Sequence, residues 1–563
     1  MKFKLLLITT FILAVFSITV SAQNKKVLSK SNNPAITNND KIARPKLMVG
    51  IVVDQMRWDY LYRFYDLYKT GGFKRLMNKG FSCDNTMVPY LPTVTACGHT
   101  CVYTGSVPAI HGITGNNWFD NNTLKSVYCT EDNNDSIKTV GSKTVDAGRM
   151  SPQNVLVTTI TDELRLATNF QSKVIGLSIK DRGAIIPAGH AANAAYWYDG
   201  KSGNFISSTY YMKELPEWMQ AFNKRKLSDS LYNLNWNTIM PASVYNKYCD
   251  TDENLYESKL GGRTSFPYNL AQFAGKDYGK ISGTPYGNNL LFEAAKVAIS
   301  AEQLGKGENT DFICISFSST DYVGHAFGPN SWELADTYIR LDETISYLLD
   351  YLDKTVGQNQ YSLFLTADHA GAHVPEYLNK HHINGGRMDD GDLKKELGGL
   401  MNTQFGNAAI INAVNEFDIY LNHSLIDTMK LNIRNVKEAL TKYLLQKDYV
   451  LNVVDKVNAS NATIPDKIKE MVINGYNPAR SGDLQIINKT GVIDGGKTGM
   501  THGVWNTYDS HIPLLFYGYG ISIGHLNKET YMTDISATVA ALLHIQMPSG
   551  CIGKVIEEVI KKP

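Results

Sequence analysis

From residue 46 to residue 54 the chain reads Lys-Leu-Met-Val-Gly-Ile-Val-Val-Asp, an unbroken apolar run closed by an acid. An apolar stretch of strand length without alternation suits a strand covered on both faces, as in a parallel sheet. Runs of the same kind recur at 173–179, 312–317, 361–366 and 512–516. Helix-period patterns fill 288–304, 332–352 and 534–544. Strands alternating with helices predict an α/β fold, a mainly parallel central sheet flanked by helices. Residues 196–211 read instead as a hairpin around a Gly-rich turn. That hairpin lies in a Tyr-rich stretch of weak periodicity, about 187–285, and a second such stretch covers about 375–482. Both are expected as insertions that cap a single domain spanning 45–563.

The first residues follow another pattern. Lys2 and Lys4 precede an apolar run from Leu5 to Val20, and Val20-Ser21-Ala22 offers small residues at a cleavage position. This predicts a signal peptide over 1–22, removed after Ala22. The run of 16 is shorter than the roughly 20 residues of a membrane span. A polar leader follows over 23–44. The expectation is an exported protein, periplasmic or secreted, with no membrane span.

Charge narrows the partners. The 563 residues hold 55 Lys+Arg against 54 Asp+Glu, a net charge of +1, without the basic excess of a nucleic-acid binder. Seven Cys are too few for a disulfide scaffold and odd in number. The expected partner is a small molecule, taken by a monomer.

The candidate chemistry sits where the apolar runs end. In α/β sheets ligands bind outside the carboxyl ends of the strands. Asp54 closes the first run, Asp321 follows the run at 312–317, and Asp368 follows that at 361–366. Asp321-Tyr-Val-Gly-His325 and Asp368-His369 add imidazoles to two of these acids. Carboxylate oxygen with imidazole nitrogen is a ligand set for Zn²⁺ or a neighbouring transition metal. One such Asp is more often a helix cap, but three with two His are hard to explain that way. A two-metal site needs about six ligands, and His502, in a Gly-rich stretch before the run at 512, is the best remaining candidate.

In this order the residues resemble the alkaline phosphatase superfamily of two-zinc hydrolases. The order is a strand-end Asp, a hydroxyl about 40 residues later, Asp-x-x-x-His, Asp-His and a late His. Residues 92–100, Pro-Thr-Val-Thr-Ala-Cys-Gly-His-Thr, are similar to the nucleophile segment of the nucleotide pyrophosphatase/phosphodiesterase branch. Lys180-Asp181-Arg182 is similar to a segment of the bacterial phosphate-irrepressible alkaline phosphatases, which use a Thr nucleophile. The likeness runs from Pro45 to about Val559. It implies an alkaline phosphatase-like fold and hydrolysis of phosphate monoesters through a phosphothreonine on Thr95, with two Zn²⁺. Asp54, Asp368, His369 and Thr95 would meet one zinc, and Asp321, His325 and His502 the other. Asn116, Lys180 and Arg182 would hold the phosphate. A phosphodiesterase on the same scaffold is the alternative. One departure is Ala370, where the family usually has Gly after the His.

These residue types suit the reaction. Metal coordination lowers the pKa of a hydroxyl, so the attack needs no separate base. A monoester dianion has three non-bridging oxygens to hold, and Arg182 with Lys180 can meet them. A diester has one charge fewer and carries a second substituent there. Thr93 is a competing nucleophile. Cys97 and Cys101 read as small buried residues, and His99, His111, His190, His373, His381 and His382 as structural.

Overall fold

The apolar runs become the middle of one large sheet. The computed structural model describes residues 43–561; the expected signal peptide, and the leader as far as residue 42, lie outside the described residues. Ten strands form the main sheet: β1 (Leu47–Val53), β2 (Phe81–Cys83), β3 (Thr139–Val140), β4 (Val174–Ser178), β5 (Ala194–Asp199), β6 (Asn204–Ser208), β7 (Asp311–Phe317), β8 (Tyr361–Thr366), β9 (Leu514–Gly518) and β10 (Gly524–Leu526). Their spatial order is β10-β2-β9-β8-β1-β7-β4-β5-β6-β3. The central block β8-β1-β7-β4-β5 is parallel throughout. Every residue of β1, β7 and β8 is buried, as their lack of alternation requires.

The run at 512–516 departs from the others in direction. It splits at Pro513: His511–Ile512 pairs with Thr86–Met87 in a small separate sheet, and β9 lies antiparallel between β8 and β2. A strand covered on both faces looks the same in sequence whichever way it runs. The hairpin read over 196–211 is the antiparallel pair β5–β6, with Asp199 opposite Asn204, and it extends the main sheet.

Six helices matter for the site: α1 (Thr95–Thr104), α2 (Asp181–Ala188), α3 (Tyr286–Ala301), α4 (Ser319–Phe327), α5 (Trp332–Leu352) and α6 (Thr533–Leu543). Helix α1 packs on α2 and α6, and α5 packs on α3 and α4. Helix α1 is buried along its whole length, so it can carry no polar outer face. Its Gly98 lies against the chain just after β8: a Cβ there would come 2.1 Å from the Asp368 carbonyl oxygen.

A second sheet is antiparallel, with strands Ile411–Asn415, Asp418–Leu421, Leu484–Asn488 and Val450–Asp455 in that order. Helices Asp390–Phe405 and Ile433–Leu444 cover it, around a separate core that includes Leu397, Met401, Leu440, Ile419 and Ile486. It draws on the stretch read as 375–482 and on one strand beyond it.

The close approach at Gly98 gives a test. Gly98→Ala overpacks α1 against the Asp368 carbonyl and should cost about 1–3 kcal/mol, seen as a lower urea midpoint at unchanged m-value.

Candidate functional site

Register places the chemistry. Val53 pairs with Phe317, Val52 with Thr366, and Ser316 with Ser178, so four neighbouring strands end nearly level. The Asp54 N–H continues the ladder to the Phe317 carbonyl at 3.0 Å. Beyond these ends lie Asp368, Asp54, Asp321 and Lys180, in the order of the strands β8-β1-β7-β4.

The ligand-type side chains fall into the two groups expected from sequence. Donor atoms of Asp54, Asp368 and His369 lie within 4.8 Å of one another, as do those of Asp321, His325 and His502. Asp321 and His325 stand one turn apart on α4, with His325 Nε2 3.1 Å from Asp321 Oδ1. His502 Nε2 reaches the same oxygen at 3.7 Å. His369 Nε2 lies 3.5 Å from both Asp54 Oδ1 and Asp368 Oδ2. The two groups touch: the rings of His369 and His502 stack with centroids 3.6 Å apart.

Each of these three imidazoles is held by a carbonyl, which can only accept. Nδ1 of His325 meets the Met500 oxygen, that of His502 the Thr93 oxygen, and that of His369 the Ala370 oxygen, all at 2.8 Å. Nδ1 therefore carries the proton, and Nε2 turns a lone pair toward the carboxylates. Burial first, then neighbouring His369 and His325, holds His502 well below the usual histidine range. Burial also lowers His369. Among the described residues, the buried oxygens Asp54 Oδ1 and Asp368 Oδ2 accept no hydrogen bond. Lone pairs and unpaired carboxylate oxygens facing one another fit a shared divalent cation. Ala370, the departure from the family pattern, thus supplies the carbonyl that orients His369.

Lys180 brings positive charge into the gap. Its Nζ lies 2.6 Å from Asp54 Oδ2 and 2.6 Å from Asp321 Oδ2, one carboxylate from each group. Burial opposes its charge, but Asp321 and Asp54 outweigh that and push its pKa above the usual lysine range. Burial also works against ionisation of Asp321, yet His325 and Lys180 hold it well below the carboxylate range. Asp54, surrounded by the other two acids, is pushed up by burial, then by Asp321 and Asp368.

Thr95 is the first residue of α1, at the positive end of the helix dipole. Its Oγ1 is 3.4 Å from His369 Nε2 and 3.4 Å from Lys180 Nζ. Thr93 is turned elsewhere, donating to Asp509 Oδ2 at 2.9 Å. Asn116 Oδ1 accepts from the Ala96 N–H at 3.0 Å, which fixes its amide beside the helix start. Arg182 donates through Nη1 to the Tyr128 hydroxyl at 3.1 Å, and its buried Nε has no partner among the described residues. All ten residues proposed from sequence thus converge at one place.

Several contributors carried no sequence signal. Gln55, with φ at +63°, sends its N–H to Asp368 Oδ1 (3.2 Å) and its side-chain amide to Asp321 Oδ1 (2.7 Å), linking the two groups. Gly324 is needed for this, because a Cβ there would lie 1.9 Å from Gln55 Oε1. His99, read as structural, joins the Thr95 carbonyl (2.9 Å) to Ser316 (2.8 Å) and stands 3.3 Å from Asp368 Oδ2. Tyr128 donates to Asp181 at 2.7 Å and so steadies Arg182. Glu416, in the turn between the first two strands of the second sheet, reaches Gly115 beside Asn116: a Cβ on Gly115 would meet its Oε2 at 2.9 Å. Burial, then Asp390, pushes the Glu416 carboxyl up to about 8. Only a position next to Asp54, for Gln55, could have been picked out beforehand. The seven cysteines are all free, Cys97 and Cys101 buried on α1.

Two carboxylate–imidazole groups beside a hydroxyl at a helix start, on the carboxyl edge of an α/β sheet, define a hydrolase built to carry metal. The chain belongs to the type I phosphodiesterase/nucleotide pyrophosphatase family, whose model matches residues 48–511. It is 51% identical to alkaline phosphatase PhoV of Synechococcus elongatus over the full length of both chains. It is 47% identical to a Myroides odoratus protein named calcium-transporting ATPase, covering 94% of this chain and 97% of that one. Alkaline phosphatase PafA of Elizabethkingia meningoseptica is 46% identical, covering 95% of this chain and 98% of its own. The PafA crystal structure superposes with a TM-score of 0.91 over 93% of this chain and 100% of that one.

Lys180 gives the test here. Lys180→Met leaves buried carboxylates without their cation and should destabilise the metal-free protein by about 3 kcal/mol. Added divalent metal should offset most of that loss, read from urea unfolding with and without metal.

Proposed function

We propose that this chain is an exported alkaline phosphatase that hydrolyses phosphate monoesters through a phosphothreonine on Thr95. The observation that carries the reading is the position of Thr95 Oγ1, within 3.4 Å of both His369 Nε2 and Lys180 Nζ at the start of a buried helix. Two Zn²⁺, one on Asp54, Asp368, His369 and Thr95 and the other on Asp321, His325 and His502, would supply Lewis acidity, lowering the hydroxyl pKa and neutralising charge on the leaving oxygen.

The rest is work for the chain. Thr95 Oγ attacks phosphorus, the ester oxygen leaves, and water then attacks the phosphothreonine and frees inorganic phosphate. The N-terminal end of α1 favours the anion at Thr95. Arg182, steadied by Tyr128 and Asp181, offers a planar fork to two phosphate oxygens. Lys180 adds a point charge, and the Asn116 amide nitrogen, which donates to no described residue, adds a neutral donor. These cations favour a dianion with all three non-bridging oxygens free, hence a monoester over a diester. The terminal phosphoryl group of ATP is a dianion of the same kind. Every residue involved comes from one chain, so a monomer suffices. Export rests on the signal peptide expected over residues 1–22; among the described residues no helix is long and apolar enough to cross a membrane.

The reading is tested by comparing p-nitrophenyl phosphate with bis(p-nitrophenyl) phosphate on one preparation. Thr95→Ala should abolish phosphate release from the monoester, and a wild-type preference for the diester would overturn the assignment. Lys180→Ala with Arg182→Ala removes two charge-assisted contacts of about 1.5–3 kcal/mol each. Monoesterase kcat/KM should fall by a factor on the order of 10² to 10⁴, far more than the diesterase value. Tyr128→Phe should lower monoesterase kcat/KM by about tenfold with metal content unchanged, as loss of one hydrogen bond to Arg182 implies.

A further inference from the structure

The stacked imidazoles of His369 and His502 stand on loops that no helix or strand of their own holds. His502 lies in residues 501–504, which belong to no element, and Gly503 beside it has φ at +103°. His369 lies in irregular chain just after β8. His325, by contrast, is built into α4. The separation of 3.6 Å between the His369 and His502 rings therefore needs a tie from outside both loops.

Asp509 makes that tie. It is fully buried in the short helix Thr507–Ser510. Its Oδ2 accepts from the Val504 N–H at 2.7 Å and from the Thr93 hydroxyl at 2.9 Å. The first bond grips the loop two residues after His502. The second grips the residue whose carbonyl receives the His502 Nδ1–H at 2.8 Å. The Thr93 hydroxyl also stands 3.2 Å from the Val504 carbonyl, so the two segments are joined twice. The Asp509 carbonyl accepts from the Ala370 N–H at 2.9 Å, and the Ala370 carbonyl in turn receives the His369 Nδ1–H at 2.8 Å. One residue thus holds both carbonyls that orient the stacked rings.

An acid that only closed its own loop would need the Val504 bond alone. Here the same oxygen is shared with Thr93, far away in the chain. The other oxygen, Oδ1, is buried with no hydrogen-bond partner among the described residues, which costs stability. The partner on the second nitrogen of a metal-ligating imidazole fixes its tautomer and ring direction, and loss of such a partner typically costs about 10- to 100-fold in metal affinity.

We propose that Asp509 is a positioning residue for the His502 half of the site, and that its carbonyl registers that half against His369. The inference rests on the two-metal reading above. The carboxylate keeps the Thr93 carbonyl and the His502 loop at one spacing, so that His502 Nε2 stays turned toward Asp321 Oδ1, 3.7 Å away. Asp509 would act on the reaction only through His502.

The test uses the full mature chain, freed of metal with EDTA and titrated with Zn²⁺ against a chromogenic chelator. The wild type should take up two Zn²⁺. Asp509→Ala and Thr93→Val should each weaken one of the two by about 10- to 100-fold and leave the other within about threefold, because the Asp509 carbonyl still holds Ala370. The double variant should lose no more than the larger single loss, since both changes cut the same tie. Asp509→Asn keeps an acceptor oxygen for both donors and should stay within about threefold of wild-type affinity. Should Asp509→Ala fail to fold, Thr93→Val, which keeps the side-chain volume, carries the same measurement. Wild-type affinity at both sites in the variants, with only the urea midpoint of the metal-free chain lowered, overturns the inference. A wild type that takes up fewer than two Zn²⁺ overturns the two-metal reading, and the inference with it.

Discussion

Like charges buried side by side repel, and the site is organised around that constraint. Three aspartates stand at the ends of adjacent strands with almost no water to screen them. Lys180 bridges two of them, Gln55 donates to the third from its backbone and to Asp321 from its side chain, and three carbonyls fix the imidazoles with their lone pairs inward. Each of these partners comes from a different strand end or loop. The site is therefore stable only when the parallel block is in register. A one-residue slip of β7 against β1 would turn each side chain to the opposite face and move Asp321 away from Lys180.

That dependence explains why so much was legible beforehand. An apolar run states the strand, and an acid just beyond it states where the chemistry sits: Asp54 follows its run directly, Asp368 follows after Ala367, and Asp321 lies in the first turn of α4. The Asp321–His325 spacing needs only a helix turn. Information that depends on contacts between distant segments was not available locally. The reversed direction of β9 is decided by which neighbour it meets, not by its own residues. The bridging role of Gln55 depends on Gly324, far along the chain. Glu416 reaches the site from a separate sheet, through a turn whose residues carry no chemical pattern.

The second sheet does more than cover the first. Its hairpin turn places Glu416 beside Gly115 and ties Asn415 to the Asn117 carbonyl at 3.0 Å. The segment carrying Asn116 is thus gripped between α1 and the inserted unit. On the proposed role of Asn116 in holding phosphate, selectivity would depend on how that unit sits, and sequence change confined to it would alter substrate preference without touching a candidate metal ligand.

The candidate ligands span residues 54 to 502, and the Thr93 carbonyl that orients His502 lies near the other end of that interval. The Asp321 group therefore closes only after nearly nine-tenths of the chain exists. A nascent protein still emerging from the ribosome offers two ligands of that group and no more. On the proposed two-metal reading, the capacity to retain metal there would be acquired late, once translation is almost complete, and loading would belong to the compartment in which the finished chain folds.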